Sequence, residues 1–347
     1  MPEDRYGRRM VILHTPRLRL RPAREADAAT MAEYRSDPEI AKYQDWDMPY
    51  TLDRALAGAA KQATFDDLVE GSWVSFAIDF EGEMVGDIAA CIHEGGGVAE
   101  MGYTLARQRH GHGYATEAAN AMVDHLFQNH GVHRIEAGLD PENVASMRVL
   151  ESVGMRMECL ARDSCVARGE WVDDLRYSLL AHDRAEWMQR PRTRATKVEF
   201  VVITPDDAHL WGRLRTHHSQ ERFVSPMLST FRDALFPEMY HGGTMVPWMR
   251  GILADGERVG FMMLGMVTEH HPEPYLWRLL IDRMQQRRGL GSDVLRLLID
   301  QLREWGHCTL TTSWGVGPGS PETFYLGQGF LPTGDFDDDE VIGRLQL

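Results

Sequence analysis

Residues 108–127 read QRHGHGYATEAANAMVDHLF, and residues 285–306 read QQRRGLGSDVLRLLIDQLREWG. Each stretch sets a glutamine, basic or polar residues and a Gly-x-Gly at the mouth of an amphipathic run. A helix N-terminus carries unpaired backbone N–H groups and a partial positive charge, so it receives phosphate readily. Glycines ahead of it let the backbone curl until those amides converge on the anion. Three nucleotide readings compete. A P-loop ends in Gly-Lys-Ser/Thr, which neither copy has. A dinucleotide-binding turn needs a third glycine and a direct strand-to-helix connection. Here Thr116 and Val294 stand at the third position, and several residues separate strand from loop. What remains is Gln/Arg-x-x-Gly-x-Gly/Ala, matched by Gln108, Gly111 and Gly113 and again by Gln286, Gly289 and Gly291.

The elements that must position these loops follow one order twice. RLRLR at 17–21 alternates like a strand, and two helical segments follow it. SWVSFAIDF and EMVGDIAACI then form a hairpin about EGE, and VAEMGYTL is a strand leading into the first loop. The helix over 113–130 has an apolar stripe at Ala118, Ala121, Met122, Leu126 and Phe127. VHRIEAGLD, ENVASMRVLESVG and WVDDLRYSLLA read as strand, helix and strand. In the second half KVEFVVI is a strand, while DDAHLWGRLRTHH and STFRDALFPEMY read as helices. A hairpin turns at ADGE, and PYLWRLLID leads into the second loop and its helix over 290–305. HCTLTTSW, SPETFYLGQG and EVIGRLQL complete the copy as strand, helix and strand. Both halves therefore predict β-α-α-β-β-β-α-β-α-β, an α+β pattern with a mixed sheet, duplicated within the chain. A basic segment containing Pro191 suggests domains at 1–182 and 198–347 joined by a linker at 183–197.

In this order of elements the chain resembles the GNAT superfamily of acetyl-CoA-dependent N-acetyltransferases, over 15–182 and 198–347. TPRLRLRP, GYTLARQRHGHGYATEA, NVASMRVLESVGM and GEWVDDLRYSL are similar to the RimJ/RimL-type ribosomal-protein alanine N-acetyltransferases. YLWRLLIDRMQQRRGLG and GPGSPETFYLGQGFLPTGDFDDDEVIGRLQL are similar to bacterial diamine and spermidine/spermine acetyltransferases. The resemblance implies two tandem GNAT domains, each a mixed, mostly antiparallel sheet flanked by helices, with acetyl-CoA as co-substrate. It implies that the pyrophosphate lies behind Gln108 on Arg109, His110, Gly111, His112, Gly113, Tyr114 and Ala115. In the second copy Arg287, Arg288, Gly289, Leu290, Gly291 and Ser292 take that part, behind Gln286. It implies that the pantetheine arm pairs with Tyr103, Thr104 and Leu105, and with Leu280, Ile281 and Asp282. Asn143 matches an asparagine beside that arm, and Ser146 a serine of RimL-like enzymes. Tyr325 matches the tyrosine that protonates the leaving thiolate, whereas the first half has Val149 or Leu150 in that region. Glu100, on the strand before the first loop, is the candidate base for the amine, and the second half offers only Glu273 nearby.

The formal charge of −15 disfavours nucleic acid or an anionic membrane as partner and suits an amine substrate. Four cysteines without C-x-x-C spacing, no apolar h-region and no run of roughly 20 apolar residues lead to the expectation of a cytoplasmic protein. His217, His218, His270 and His271 lack zinc-site spacing, so no metal is expected. GDFDDDE at 334–340 reads as an acidic surface loop, with a polyamine subsite as the alternative. The expected activity is acetylation of a primary amine, in a small-molecule polyamine, an aminoglycoside-like antibiotic or a peptide N-terminus, by a monomer or homodimer. The rivals are a non-catalytic acyl-CoA sensor or scaffold, and one active domain with a degenerate partner.

Overall fold

The computed structural model describes residues 10–347 apart from 168, 238 and 241. The chain forms two compact units, one ending at Met188 and the other running from Gln189 to Leu347. In the first, β1 (Leu13–His14) and β2 (Leu18–Pro22) precede α1 (Ala28–Arg35), α2 (Pro38–Ala41) and α3 (Leu52–Gln62). Next come β3 (Trp73–Phe80), β4 (Glu83–Ile92), β5 (Val98–Leu105), α4 (Tyr114–Asn129) and β6 (Arg134–Leu139). The unit ends with α5 (Val144–Ser152), β7 (Arg156–Ala167), β8 (Glu170–Leu180) and α6 (Ala181–Gln189). Its eight-stranded sheet has the order β1-β2-β3-β4-β5-β6-β8-β7. Every neighbouring pair is antiparallel except β5 and β6.

Helix α4 lays Ala118, Ala119, Met122, Val123 and Leu126 into one core, together with Leu150 and Val153 from α5 and its C-cap. A smaller core on α1 and α3 holds Met31, Tyr34 and Ala55 against Ala77 and Met84 of the sheet. The β3–β4 hairpin turns through Glu81 (φ 56°) and Gly82 (φ 93°), two left-handed residues that match the strands' right-handed twist.

In the second unit β9 (Val198–Val201), α7 (Ala208–Trp211) and α8 (Met227–Leu235) precede the short pair β10 (Met239–Tyr240) and β11 (Gly243–Thr244). Then come β12 (Pro247–Ala254), β13 (Glu257–Gly265), β14 (Tyr275–Ile281), α9 (Leu290–Glu304) and β15 (Thr309–Gly315). The unit closes with α10 (Glu322–Gly327), β16 (Leu331–Asp337) and β17 (Glu340–Gln346). The seven-stranded sheet runs β16-β17-β15-β14-β13-β12-β9, with β14–β15 its parallel pair. Asp255 (φ 52°) and Gly256 (φ 89°) turn its long hairpin as Glu81 and Gly82 turn the other.

Five expectations change. Strand β7 was not foreseen, because an edge strand rich in Arg, Glu and Asp has no apolar alternation; such charge also discourages pairing with another chain. Residues 331–337 form strand β16 instead of an acidic loop, and the turn to β17 falls at Asp338 (φ 51°). The helix expected over DDAHLWGRLRTHH shrinks to Ala208–Trp211, where Asp207 accepts the Trp211 indole N–H at 2.9 Å and Gly212 follows. Helix α8 stops at Leu235 because Phe236 precedes a proline and leaves the helical region (φ −131°). The segment read as a linker from 183 begins inside α6, whose Trp187 is buried and whose Arg184 donates to Asp124 of α4. Among the described residues no helix is long and apolar enough to cross a membrane, and all four cysteines are free.

Candidate active site

Strands β5 and β6 pair over three positions only: Val98 with Arg134, Ala99 with Ile135 and Glu100 with Glu136. Beyond Glu100 the strands run on unpaired, which leaves one edge of residues 101–105 as a row of unladdered peptide groups. The second unit repeats this. β14 pairs with β15 at Tyr275–Thr311 and Leu276–Thr312 and then departs from it. Each slot leads from a parallel pair toward the start of the helix that follows, α4 or α9.

Both helices begin nine residues after their strand ends, at Tyr114 after Leu105 and at Leu290 after Ile281. Their N-caps are Gly113 (φ 78°, ψ 10°) and Gly289 (φ 78°, ψ 4°), the same left-handed conformation. The His110 Nε2–H donates to the Leu105 carbonyl at 3.2 Å, and the Gln286 side-chain amide donates to the Ile281 carbonyl at 3.0 Å. His110 is therefore the counterpart of Gln286, and Gly113 that of Gly289. This corrects the sequence pairing by two residues. Gln108 sits exposed in a 3-10 turn, outside the motif. Gly111 (φ 78°) corresponds to Arg287 (φ 66°), so the second unit holds an arginine where the first has a glycine. Gly291 lies inside α9, where an added Cβ would come 3.1 Å from the Phe324 ring, and its counterpart is Ala115.

An arginine braces each helix start. Arg17 donates from Nε to Glu117 Oε2 at 2.7 Å and from Nη1 to the His112 carbonyl at 2.9 Å. Glu117 also accepts from the Thr15 hydroxyl at 2.5 Å and the Arg17 backbone N–H at 2.8 Å. In the second unit Arg194 reaches Asp293 at 2.8 Å, and Asp293, like Glu117, lies four residues after its glycine cap. The Arg17 guanidinium also lies over the Tyr114 ring, which stacks on His112. Neither brace was read from the sequence. The signal available was an arginine within four residues ahead of β2 and of β9, and an acid in the first turn of each loop helix.

Some arginines expected to face phosphate are otherwise engaged. Arg109 pairs with Glu83 at 2.9 Å. Arg288 is buried and donates to the Thr193 carbonyl at 2.8 Å and to Gln285. Arg287 remains exposed on the loop. Asp282 braces the turn, accepting the backbone N–H groups of Arg215 and Met284 at 2.9 Å each. Leu280 packs in the core with Phe261, while Ile281 and Ser292 are half-buried.

In the first slot the Tyr103 hydroxyl lies 2.8 Å from Ser146 Oγ and donates to the Ser146 carbonyl at 3.1 Å. Burial pushes the Tyr103 phenol well above its ordinary value. Asn143 caps α5, its Oδ1 accepting the Ser146 N–H at 3.1 Å. Thr104 is buried opposite Asp87 of β4. Glu100 stands at the last β5–β6 pair, with His93 Nε2 at 3.9 Å. Side chains alternate along a strand, so Glu100 and Tyr103 project from opposite faces of the sheet. The position matching Tyr325, which lies four residues before Gly329, is the buried core residue Leu150, four residues before Gly154.

In the second slot the Tyr325 hydroxyl lies beside the Thr312 side chain, whose hydroxyl donates to the Leu276 carbonyl at 3.0 Å, and Thr312 pairs with Leu276 at the last parallel position. Tyr325 is buried and stacks on Trp314 with ring centroids 5.5 Å apart. Burial, with the Glu340 carboxylate adding to it, pushes its phenol up to about 12. That keeps it protonated at neutral pH but makes it a weaker acid than a free phenol near 10. His217 lies near Arg283, Arg190 and Arg287, whose charges add to burial in pulling its imidazole down to about 4.

Residues 17–156 match the family model described as an acetyltransferase (GNAT) domain, and residues 211–323 match that of the acetyltransferase (GNAT) family. The uncharacterized N-acetyltransferase p20 of Bacillus licheniformis is 36% identical over 179 residues, covering 51% of this chain and 99% of that protein. The chain belongs to the GNAT acetyltransferases. It carries two GNAT domains in tandem, and it is an N-acetyltransferase of a family that uses acetyl-CoA. The [ribosomal protein uS5]-alanine N-acetyltransferase of Escherichia coli is 29% identical over 83 residues, 24% of this chain and 43% of that enzyme. The structure of Mycobacterium smegmatis RimJ in complex with CoA-disulfide is 29% identical, covering 50% of this chain and 87% of that one, with a TM-score of 0.44.

Proposed function

We propose that each GNAT domain holds acetyl-CoA in its strand slot and that the chain acetylates a primary amine. The observation that carries this reading is the parallel pair that parts beside a glycine-capped helix, in both units. An unpaired strand edge accepts an extended, amide-bearing arm as one more strand, and the helix start receives its phosphates.

In the second domain Tyr325 protonates the departing thiolate at the apex of the slot, next to Thr312. In the first, Leu150 supplies no acid and the Ser146 hydroxyl, oriented by Tyr103, takes that part. Glu100, on the other face of β5, accepts the proton of the incoming ammonium directly or through water. Opposite faces suit these two tasks, since the amine and the leaving thiolate then have separate approaches. The likeness to an alanine N-acetyltransferase favours a peptide N-terminus as the first domain's acceptor. The diamine-acetyltransferase resemblance and the net charge of −15 favour a polyamine for the second. The reading in which the first domain binds cofactor without turnover draws on one observation, Leu150 in place of a tyrosine.

The test is thiol release, with mass spectrometry of products, from a panel of polyamines and alanine-terminated peptides. It is run on the parent and on Gly113→Glu and Gly289→Glu. Product from peptides lost with Gly113→Glu, and from polyamines lost with Gly289→Glu, supports the assignment. Bound acetyl-CoA without product from any amine replaces it with the sensor reading.

A further inference from the structure

Away from both slots, α4 ends in a cluster that acetyl transfer does not use. His125 and its near neighbour His130, the C-cap of α4, turn their Nε2 atoms toward one another at 3.2 Å. Both face the carboxylate of Asp67, from the segment between α3 and β3. His125 Nε2 lies 2.7 Å from Oδ1 and His130 Nε2 lies 3.3 Å from Oδ2. Among the described residues these three form the one group of His, Cys, Asp and Glu whose donor atoms converge as metal ligands do.

The protonation pattern is what makes the cluster unusual. The other nitrogen of His125, Nδ1, donates to Asn129 Oδ1 at 3.1 Å. In the neutral ring that bond leaves Nε2 without a hydrogen, its lone pair aimed at a carboxylate and at a second imidazole nitrogen. Three electron-rich atoms then share one small space, and a cation between them relieves the repulsion. A carbonyl oxygen on the distal N–H is also how metal-bound histidines are held in the right tautomer. Donors about 2.0–2.1 Å from a tetrahedral zinc ion are separated from each other by about 3.3 Å. His130 Nε2 lies close to that length from both His125 Nε2, at 3.2 Å, and Asp67 Oδ2, at 3.3 Å, and one donor atom from each residue lies within 4.8 Å of the other two. The site lies at the negative end of the α4 dipole, which favours a cation. His125 is nearly enclosed, while the side chains of His130 and Asp67 are 18% and 31% exposed, which gives an ion an entry path and room for a water ligand.

We propose that Asp67, His125 and His130 bind one zinc-type divalent transition-metal ion, oriented by Asn129, that ties the segment after α3 to the C-terminal end of α4. The site is independent of the acetyl-transfer reading, because it touches neither slot.

The full chain, stripped with chelator and desalted, is titrated with cobalt(II) and then zinc, and metal content is measured by elemental analysis. One equivalent is expected, with the visible absorption of four-coordinate cobalt that zinc bleaches, and zinc should raise the thermal midpoint. Asp67→Asn, close to the parent in shape, and His130→Ala, at a half-buried cap, should each weaken zinc by about 100-fold or more. Asn129→Ala should weaken it by about 10-fold. A parent that takes up no cobalt, or variants that bind as the parent does, would overturn the assignment. Should His130→Ala fold poorly, Asp67→Asn and Asn129→Ala decide the matter alone.

Discussion

Arg17 Nε and Glu117 Oε2 lie 2.7 Å apart across one hundred residues of sequence, joining the start of the first sheet to the first turn of the phosphate-loop helix. Arg194 and Asp293 make the same connection in the other domain at 2.8 Å. Glu117 gathers three donors and is mostly enclosed, whereas the Arg17 side chain is 46% exposed. Removing the acid therefore loses three hydrogen bonds accepted by one mostly enclosed carboxylate, at about 1–3 kcal/mol. Removing the exposed base costs below about 1 kcal/mol. Denaturation of Glu117→Ala and Arg17→Ala should show that asymmetry, and equal losses would contradict it.

The two-residue shift between the loops has its own test. Gly113→Ala and Gly289→Ala place a Cβ at φ 78° in both caps. The strained backbone should cost on the order of 1 kcal/mol or more and weaken coenzyme A binding in the affected domain. Gln108→Ala should leave calorimetric affinity and stoichiometry unchanged, while His110→Ala should lower affinity in the first domain. If Gln108→Ala behaves as His110→Ala does, the glutamines were the true pair.

Tyr325→Phe removes a hydroxyl whose partner is Thr312 and keeps the ring against Trp314. Stability should change by about 1 kcal/mol at most. Turnover in a Gly113→Glu background should fall at least ~10-fold, with the Michaelis constant for acetyl-CoA within a few-fold. Turnover equal to the parent would assign proton donation to water.

In the first domain Ser146→Ala and Glu100→Gln act on opposite sides of the carbonyl. Each should lower turnover by about 10²-fold or more, and neither should change coenzyme A affinity. Glu100→Gln should lose most near neutral pH, where the amine is largely protonated, and recover as pH approaches that of the free amine. A pH-independent loss would make Glu100 a packing residue.

His217 predicts a pH dependence of stability. Its imidazole is pulled down to about 4, so the unfolded chain takes up a proton first as pH falls. The stability associated with the neutral ring is present above a pH of about 6.5 and is lost as pH falls through about 4, up to about 3 kcal/mol. His217→Gln should flatten that part of the curve in denaturation midpoints. An unchanged slope would place the titrating group elsewhere.

The amino-acid sequence by itself determined whatever depends on local backbone chemistry. Glu81-Gly82 and Asp255-Gly256 turn the two long hairpins because both positions need positive φ. The apolar stripe of α4 and the glycines ahead of both loop helices were equally legible, as was Tyr325 before its terminal glycine. Tertiary structure decided what depends on distance along the chain. Which glycine caps the helix follows from the length of turn after each strand, and that made His110, not Gln108, the partner of Gln286. The slots exist because β5–β6 and β14–β15 stop pairing after three and two positions, and no periodicity encodes where a parallel pair parts. Strands β7 and β16 are built on edges where water replaces the apolar neighbour that alternation would have announced. Asp67 meets His125 across 58 residues because the segment after α3 folds onto the end of α4. Only packing brings such groups together, since neither their spacing nor their flanks differ from those of ordinary surface residues.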